Sequence, residues 1–167
     1  MRRTLVALMT GGALLAAPAL AATPALAATA KPTTLGPHGY GSVRLGMSAA
    51  KAKATGKIVL KQGGTGACSG WNLKAHPAGK GAVGLYISRK VGVAVIFAQK
   101  GMKTPQGIGL GSSAQRVKKA YPKLKESPSG ILHVAVPGNS KAYYAFILDK
   151  GKVSELAFGL DTQDCVN

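Results

Sequence analysis

Two stretches of the chain alternate apolar with polar or small positions. In the first, Val83, Leu85 and Ile87 are followed, after Arg89-Lys90, by Val91, Val93, Val95 and Phe97. Period-two alternation predicts half-buried strands, and the charged pair between them predicts a turn. In the second, Ile131 to Val136, Tyr143 to Leu148 and Val153 to Leu160 predict three strands. Pro137-Gly138-Asn139 and Asp149-Lys150-Gly151-Lys152 separate them with residues that favour tight turns. Trp71 to Lys74 supplies a further strand ahead of the first group.

Two other segments read as short helices. Ser48 and Ser113 are N-caps, because a serine oxygen accepts a hydrogen bond from the unpaired N–H groups of a first turn. Ala- and Lys-rich runs with good helix propensity follow each of them. Gly56 ends the first helix and Pro122 the second. The segments around the caps resemble each other at an offset of 65: Leu45-Gly46-Met47-Ser48-Ala49 against Leu110-Gly111-Ser112-Ser113-Ala114. A helix followed by antiparallel strands, used twice, predicts an α+β fold. The expected architecture is two tandem helix–meander repeats, residues 37–104 and 105–167, forming one curved sheet with both helices on one face.

The N-terminus changes the picture of where the protein works. Arg2-Arg3 precedes an apolar run rich in Ala, Leu and Gly, and small-residue triplets follow it. This pattern predicts a signal peptide over 1–27, cut after Ala27, then a flexible lead-in over 28–36. The alternative is an uncleaved anchor, but the run lacks a basic stop signal and no other segment suits a membrane span. The expected product is therefore a secreted, extracellular monomer with no transmembrane anchor.

Charge restricts the chemistry further. Without Arg2 and Arg3, 20 of the 22 basic residues remain against five acidic ones, a net charge of about +15. No carboxylate side chain occurs from Ala28 to Lys125. A carboxylate pair or carboxylate metal site therefore cannot form in that part of the chain. His38, His76 and His133 are not spaced as metal ligands. His38 and His76 are expected in solvated loops, and His133 on the less buried face of a strand. Gly-x-Ser-x-Gly is absent, and a helix cap accounts for Gly111-Ser112-Ser113. Gly63-Gly64-x-Gly66 lacks the ending of a phosphate loop. The expectation is no catalytic residue, no metal and no cofactor, with a hydrolase of unrecognised site as a remaining alternative. Basic runs are short and aromatics are not interleaved with them, so dedicated nucleic-acid binding is not expected.

Cys68 and Cys165 are the only cysteines, and in an exported chain they predict one disulfide; the alternative is two free thiols. Such a bridge closes a loop of about 97 residues. Trp71, close to Cys68, is either packed over the bridge or a binding residue. Tyr143 and Tyr144 must face opposite sides of their strand, so one of them reaches an open sheet face.

The segment Leu45-Gly46-Met47-Ser48-Ala49-Ala50-x-Ala52 resembles the helix opening of two groups of small exported domains. These are the β-lactamase inhibitory proteins and the outer-membrane assembly lipoproteins. Leu110 to Val117 is similar more loosely, with Ser112 in place of the Met. The resemblance implies a helix-plus-sheet core and a partner protein, with inhibition of an enzyme as one form of that role. It departs from the inhibitors in its single long-range bridge and in lacking their acidic and aromatic contact residues. Trp71, Lys74, Tyr86, Arg89 and Tyr143 are the candidate contacts for an extracellular protein. An anionic envelope polymer, held by the lysines, is the alternative partner.

Overall fold

The computed structural model describes residues 33–64 and 66–166. The signal-peptide segment 1–27 and the first residues of the lead-in, 28–32, lie outside them. Among the described residues no helix is long and apolar enough to cross a membrane.

The elements run β1 (Gly39–Tyr40), β2 (Val43–Arg44), α1 (Ala49–Ala54), β3 (Ile58–Gln62), β4 (Cys68–Leu73), β5 (Leu85–Ser88) and β6 (Gly92–Phe97). Then follow α2 (Ala114–Ala120), β7 (Lys125–Glu126), β8 (Leu132–Val136), β9 (Asn139–Asp149) and β10 (Lys152–Leu160). β1 and β2 form a small hairpin, and the other strands form one antiparallel sheet in the order β3-β4-β5-β6-β10-β9-β8-β7.

This corrects the expected architecture. The fold is mostly β, with 43% of the described residues in strands and 10% in helices, and it is not a pair of α+β helix–meander repeats. The cause lies in the helices. α1 has six residues and α2 seven, and each buries one side chain, Ala52 and Val117. Ala and Lys favour helix locally, but they provide too little apolar surface to build a layer over a sheet. The strands also differ between the two parts. β3 to β6 have 5, 6, 4 and 6 residues, whereas β7 to β10 have 2, 5, 11 and 9.

The serine caps form: Ser48 Oγ accepts from the Lys51 N–H at 3.4 Å and Ser113 Oγ from the Arg116 N–H at 3.3 Å. The segments before the caps are pinned to the two central strands. Val93 N–H donates to the Met47 carbonyl and Gly111 N–H to the Val153 carbonyl, both at 2.8 Å. Gly92 makes the first contact possible. Its φ is +74°, and a Cβ there would lie 2.5 Å from the Met47 carbonyl oxygen.

Residues paired directly across strands share a face. Leu85 pairs with Ile96, Ile96 with Phe158, Phe158 with Tyr144, and Phe146 with Leu132. All of these are buried and pack with Ala52 and Val117, so this is the helix-covered face. Bulges keep the register. Val153 and Leu156 both point inward because the pairing shifts between Val153 and Glu155.

At the centre of the core, Tyr144 packs against Phe158 and Tyr121 with ring centroids 5.3 and 5.7 Å apart. Both hydroxyls are satisfied: Tyr121 donates to Thr104 Oγ1 at 2.7 Å and Tyr144 to the Leu35 carbonyl. Burial holds both phenols well above the ordinary tyrosine range; Tyr121 is pushed up to about 12, even though the Thr104 hydrogen bond pulls it down. An unfolded chain releases these protons from about pH 10. The native state still holds them there, so stability is full below pH 10 and falls as pH rises from 10 to 12. Urea denaturation over this range should show that decline, and Tyr121→Phe should make it shallower. An unchanged slope in the variant would show that Tyr121 is not the group responsible.

Candidate functional site

The opposite face of the sheet carries the second set of paired residues. Tyr86 pairs with Val95, Val95 with Gly159 and Gly159 with Tyr143. In the next row Phe97 pairs with Ala157, Ala157 with Ala145 and Ala145 with His133. Beyond that, Glu155 pairs with Ile147. Side-chain size varies sharply along these rows. Ala157 and Ala145 form a low floor, with Phe97 and Tyr86 rising on the β5–β6 side and Ile147 on the β9 side. The result is a cleft of about 650 Å³.

Three contacts shape its walls. Tyr86 and Phe97 meet edge to face, ring centroids 6.0 Å apart at 82°. The Tyr143 ring lies across Gly159, where a Cβ would come within 2.9 Å of the Tyr143 hydroxyl. Glycine is required there for close approach rather than for backbone freedom. Val83 closes the β4 side by reaching over Gly70, whose Cβ would lie 2.6 Å from a Val83 methyl group.

The C-terminal tail supplies the remaining wall through Gln163 and Val166. Cys68 and Cys165 form a disulfide with sulfurs 1.99 Å apart, which anchors the tail to the start of β4. Gln163 Oε1 accepts from the Cys165 and Val166 backbone N–H groups at 2.9 and 3.0 Å. The Tyr143 phenol is raised above its ordinary range, mainly by burial and then by the nearby Asp161 carboxylate.

Among the described residues Glu155 is the only carboxylate lining the cleft, and the other polar groups there are amides, tyrosine hydroxyls and Ser154. Of the large apolar side chains that stand exposed among the described residues, Leu110 and Ile147, each 40% exposed, lie on its lining.

Two of the expected contact residues, Tyr86 and Tyr143, come together here. Trp71 does not. It pairs with Leu85 on the helix-covered face, is 8% exposed, and donates from Nε1 to Ser69 Oγ at 2.8 Å. Lys74 is exposed just after β4, and Arg89 is exposed in the β5–β6 turn, its N–H bonded to the Ala67 carbonyl beside the disulfide. Neither lines the cleft. Sequence reasoning missed Phe97, Ala145, Ala157 and Ile147. Their outward orientation follows from the same alternation as Tyr143, but the exposed face is identified only once the helices are placed.

The histidines lie apart from the cleft lining. His38 is exposed, and half-buried His76 shares a hydrogen bond with the Tyr40 hydroxyl at 2.8 Å. His133 is half-buried on the cleft-side face of β8. One group of potential metal ligands occurs among the described residues: Cys68, Asp164 and Cys165. Its two sulfurs are consumed by the disulfide, so it is not a ligand set. No known protein family, no curated protein and no solved structure matches this chain.

Proposed function

We propose that this protein is exported and acts as a non-enzymatic binding domain, taking an apolar segment of a partner protein into the cleft on its uncovered sheet face. The observation that carries the reading is the shape and chemistry of that face: an alanine floor between aromatic and aliphatic walls. Leu110 and Ile147, both on the cleft lining, stand out at the surface. Exposed apolar rims of this kind favour a macromolecule that covers them. Tyr86, Phe97 and Tyr143 are suited to anchor such a contact, since aromatic residues in desolvated positions contribute most to protein interfaces. The resemblance at residues 45–52 to exported inhibitors of enzymes agrees with a protein partner. The disulfide agrees with an oxidising compartment.

The test uses the protein immobilised and exposed to culture medium, alongside an Ala145→Phe/Ala157→Phe variant. The substitutions fill the cleft from the solvent side and should leave the unfolding midpoint nearly unchanged. The wild type should retain one protein in high salt, and the filled variant should lose it by at least about tenfold in affinity. Equal capture by both proteins, or release of the partner by salt, would overturn the cleft as the binding site.

A further inference from the structure

Taking the cleft as the binding site, on the reading proposed above, we infer that the bound segment presents a lysine or arginine. Its apolar stem crosses the alanine floor, and its charged head meets Glu155. Among the described residues no lysine, arginine or histidine lines the cleft, and Glu155 is its one charged group. The cations at neighbouring sheet positions lie outside the lining. Lys152 is paired with Asp149, Lys125 is paired with His133 on the edge strand, and the Lys141 carbonyl accepts from the Asp161 N–H at 3.0 Å. Lys100 follows Gln99 in the loop after β6 and is exposed. A strongly basic chain therefore leaves a carboxylate, and no cation, on the lining of its apolar cleft.

A local irregularity puts that carboxylate there. Val153 pairs with Leu148 and points into the core, and Glu155 pairs with Ile147. Residues two apart in an unbroken strand share a face, so regular pairing would turn Glu155 inward with Val153. The bulge between them adds one residue to β10, which turns Glu155 to the cleft and returns Leu156 to the core. Val153 is held in place by its N–H on the Ser112 carbonyl at 2.9 Å and by its carbonyl on the Gly111 N–H at 2.8 Å.

Covering the cleft takes Glu155 out of water. A neutral apolar segment would leave its charge unpaired, which is unfavourable, and an acidic one would add repulsion. A cation removes both penalties. Its length fits as well. Glu155 and Ala157 are two residues apart on β10, about 7 Å. Lysine and arginine carry such a reach as methylene groups, which suit the floor made by Ala157 and Ala145.

An array of random synthetic peptides is the probe, screened with wild type and with the Ala145→Phe/Ala157→Phe protein. Peptides that the wild type retains and the filled protein does not should share a lysine or arginine beside apolar residues. Net charge alone would select acidic sequences instead. Glu155→Gln should weaken these peptides at least about fivefold, because a charge-assisted contact is lost. Glu126→Gln makes the same charge change on the helix-covered face and should alter them less than about twofold. Glu155→Lys should select an acidic residue in place of the cation. Glu155 is exposed, so the urea midpoints of its variants should stay at the wild-type value. Cleft-dependent peptides without a cation would overturn this inference while leaving the cleft a binding site. Equal losses from Glu155→Gln and Glu126→Gln, or no switch with Glu155→Lys, would do the same. No cleft-dependent peptide at all would overturn both readings.

Discussion

Replacing both cysteines by serine, Cys68→Ser/Cys165→Ser, should lower the free energy of unfolding by about 4–5 kcal/mol in the chain-entropy treatment of cross-links. The size follows from the loop. The disulfide joins residues 97 apart and so restrains most of the described chain when it unfolds. Little else in the structure substitutes for it. The last strand ends at Leu160, and beyond it the chain turns with the Asp161 N–H on the Lys141 carbonyl and the Gln163 N–H on the Leu160 carbonyl. The remaining tail contacts are short-range, chiefly Gln163 with its own neighbours. Urea unfolding of the variant against the oxidised wild type measures the loss. Reduced wild type should match the variant. A loss below about 1 kcal/mol would mean that the unfolded chain is already compact across this loop. The variant also reports on the cleft, because Gln163 and Val166 form one of its walls. Partner affinity should weaken more than it does in a protein of equal stability carrying a core substitution elsewhere.

Phe146→Ala should destabilise by about 3–5 kcal/mol, the range for deleting an aromatic side chain from a packed interior. Phe146 is fully buried, and its ring lies 5.6 Å from that of Tyr121 and 6.2 Å from that of Tyr144. Those neighbours are hydrogen-bonded through their hydroxyls to Thr104 and Leu35, so they cannot collapse freely into the space. Tyr86→Ala gives the contrast. Tyr86 is half-buried on the other face and packs edge-on against Phe97. Its loss should cost well under half as much stability while reducing partner binding. Comparable destabilisation by the two changes would contradict the assignment of one face to the core and the other to the cleft.

The expected two-layer architecture failed for a definite reason. Helix propensity and serine caps are local properties, and Ser48 and Ser113 do cap helices. A layer needs apolar area, and one buried residue per helix does not supply it. β3 went unrecognised because it is an edge strand, where Val59 and Leu60 are exposed and alternation carries no information about burial. Trp71 could be read as a contact or as core from its neighbours in sequence; its pairing with Leu85 places it on the covered face.

From its sequence alone this chain determined the central and C-terminal strands and the turns at Pro137-Gly138 and Lys150-Gly151. The two helix starts were also legible, as was the one disulfide that two cysteines allow. Each depends on contacts within a few residues or on simple counting. Tertiary structure alone decided that β6 meets β10 at the centre of the sheet, that Tyr144 is buried while Tyr143 lies across Gly159, and that two alanines floor a cleft. Alternation shows that a strand has two faces. Which face is covered depends on where distant segments pack, and that is a property of the whole folded chain.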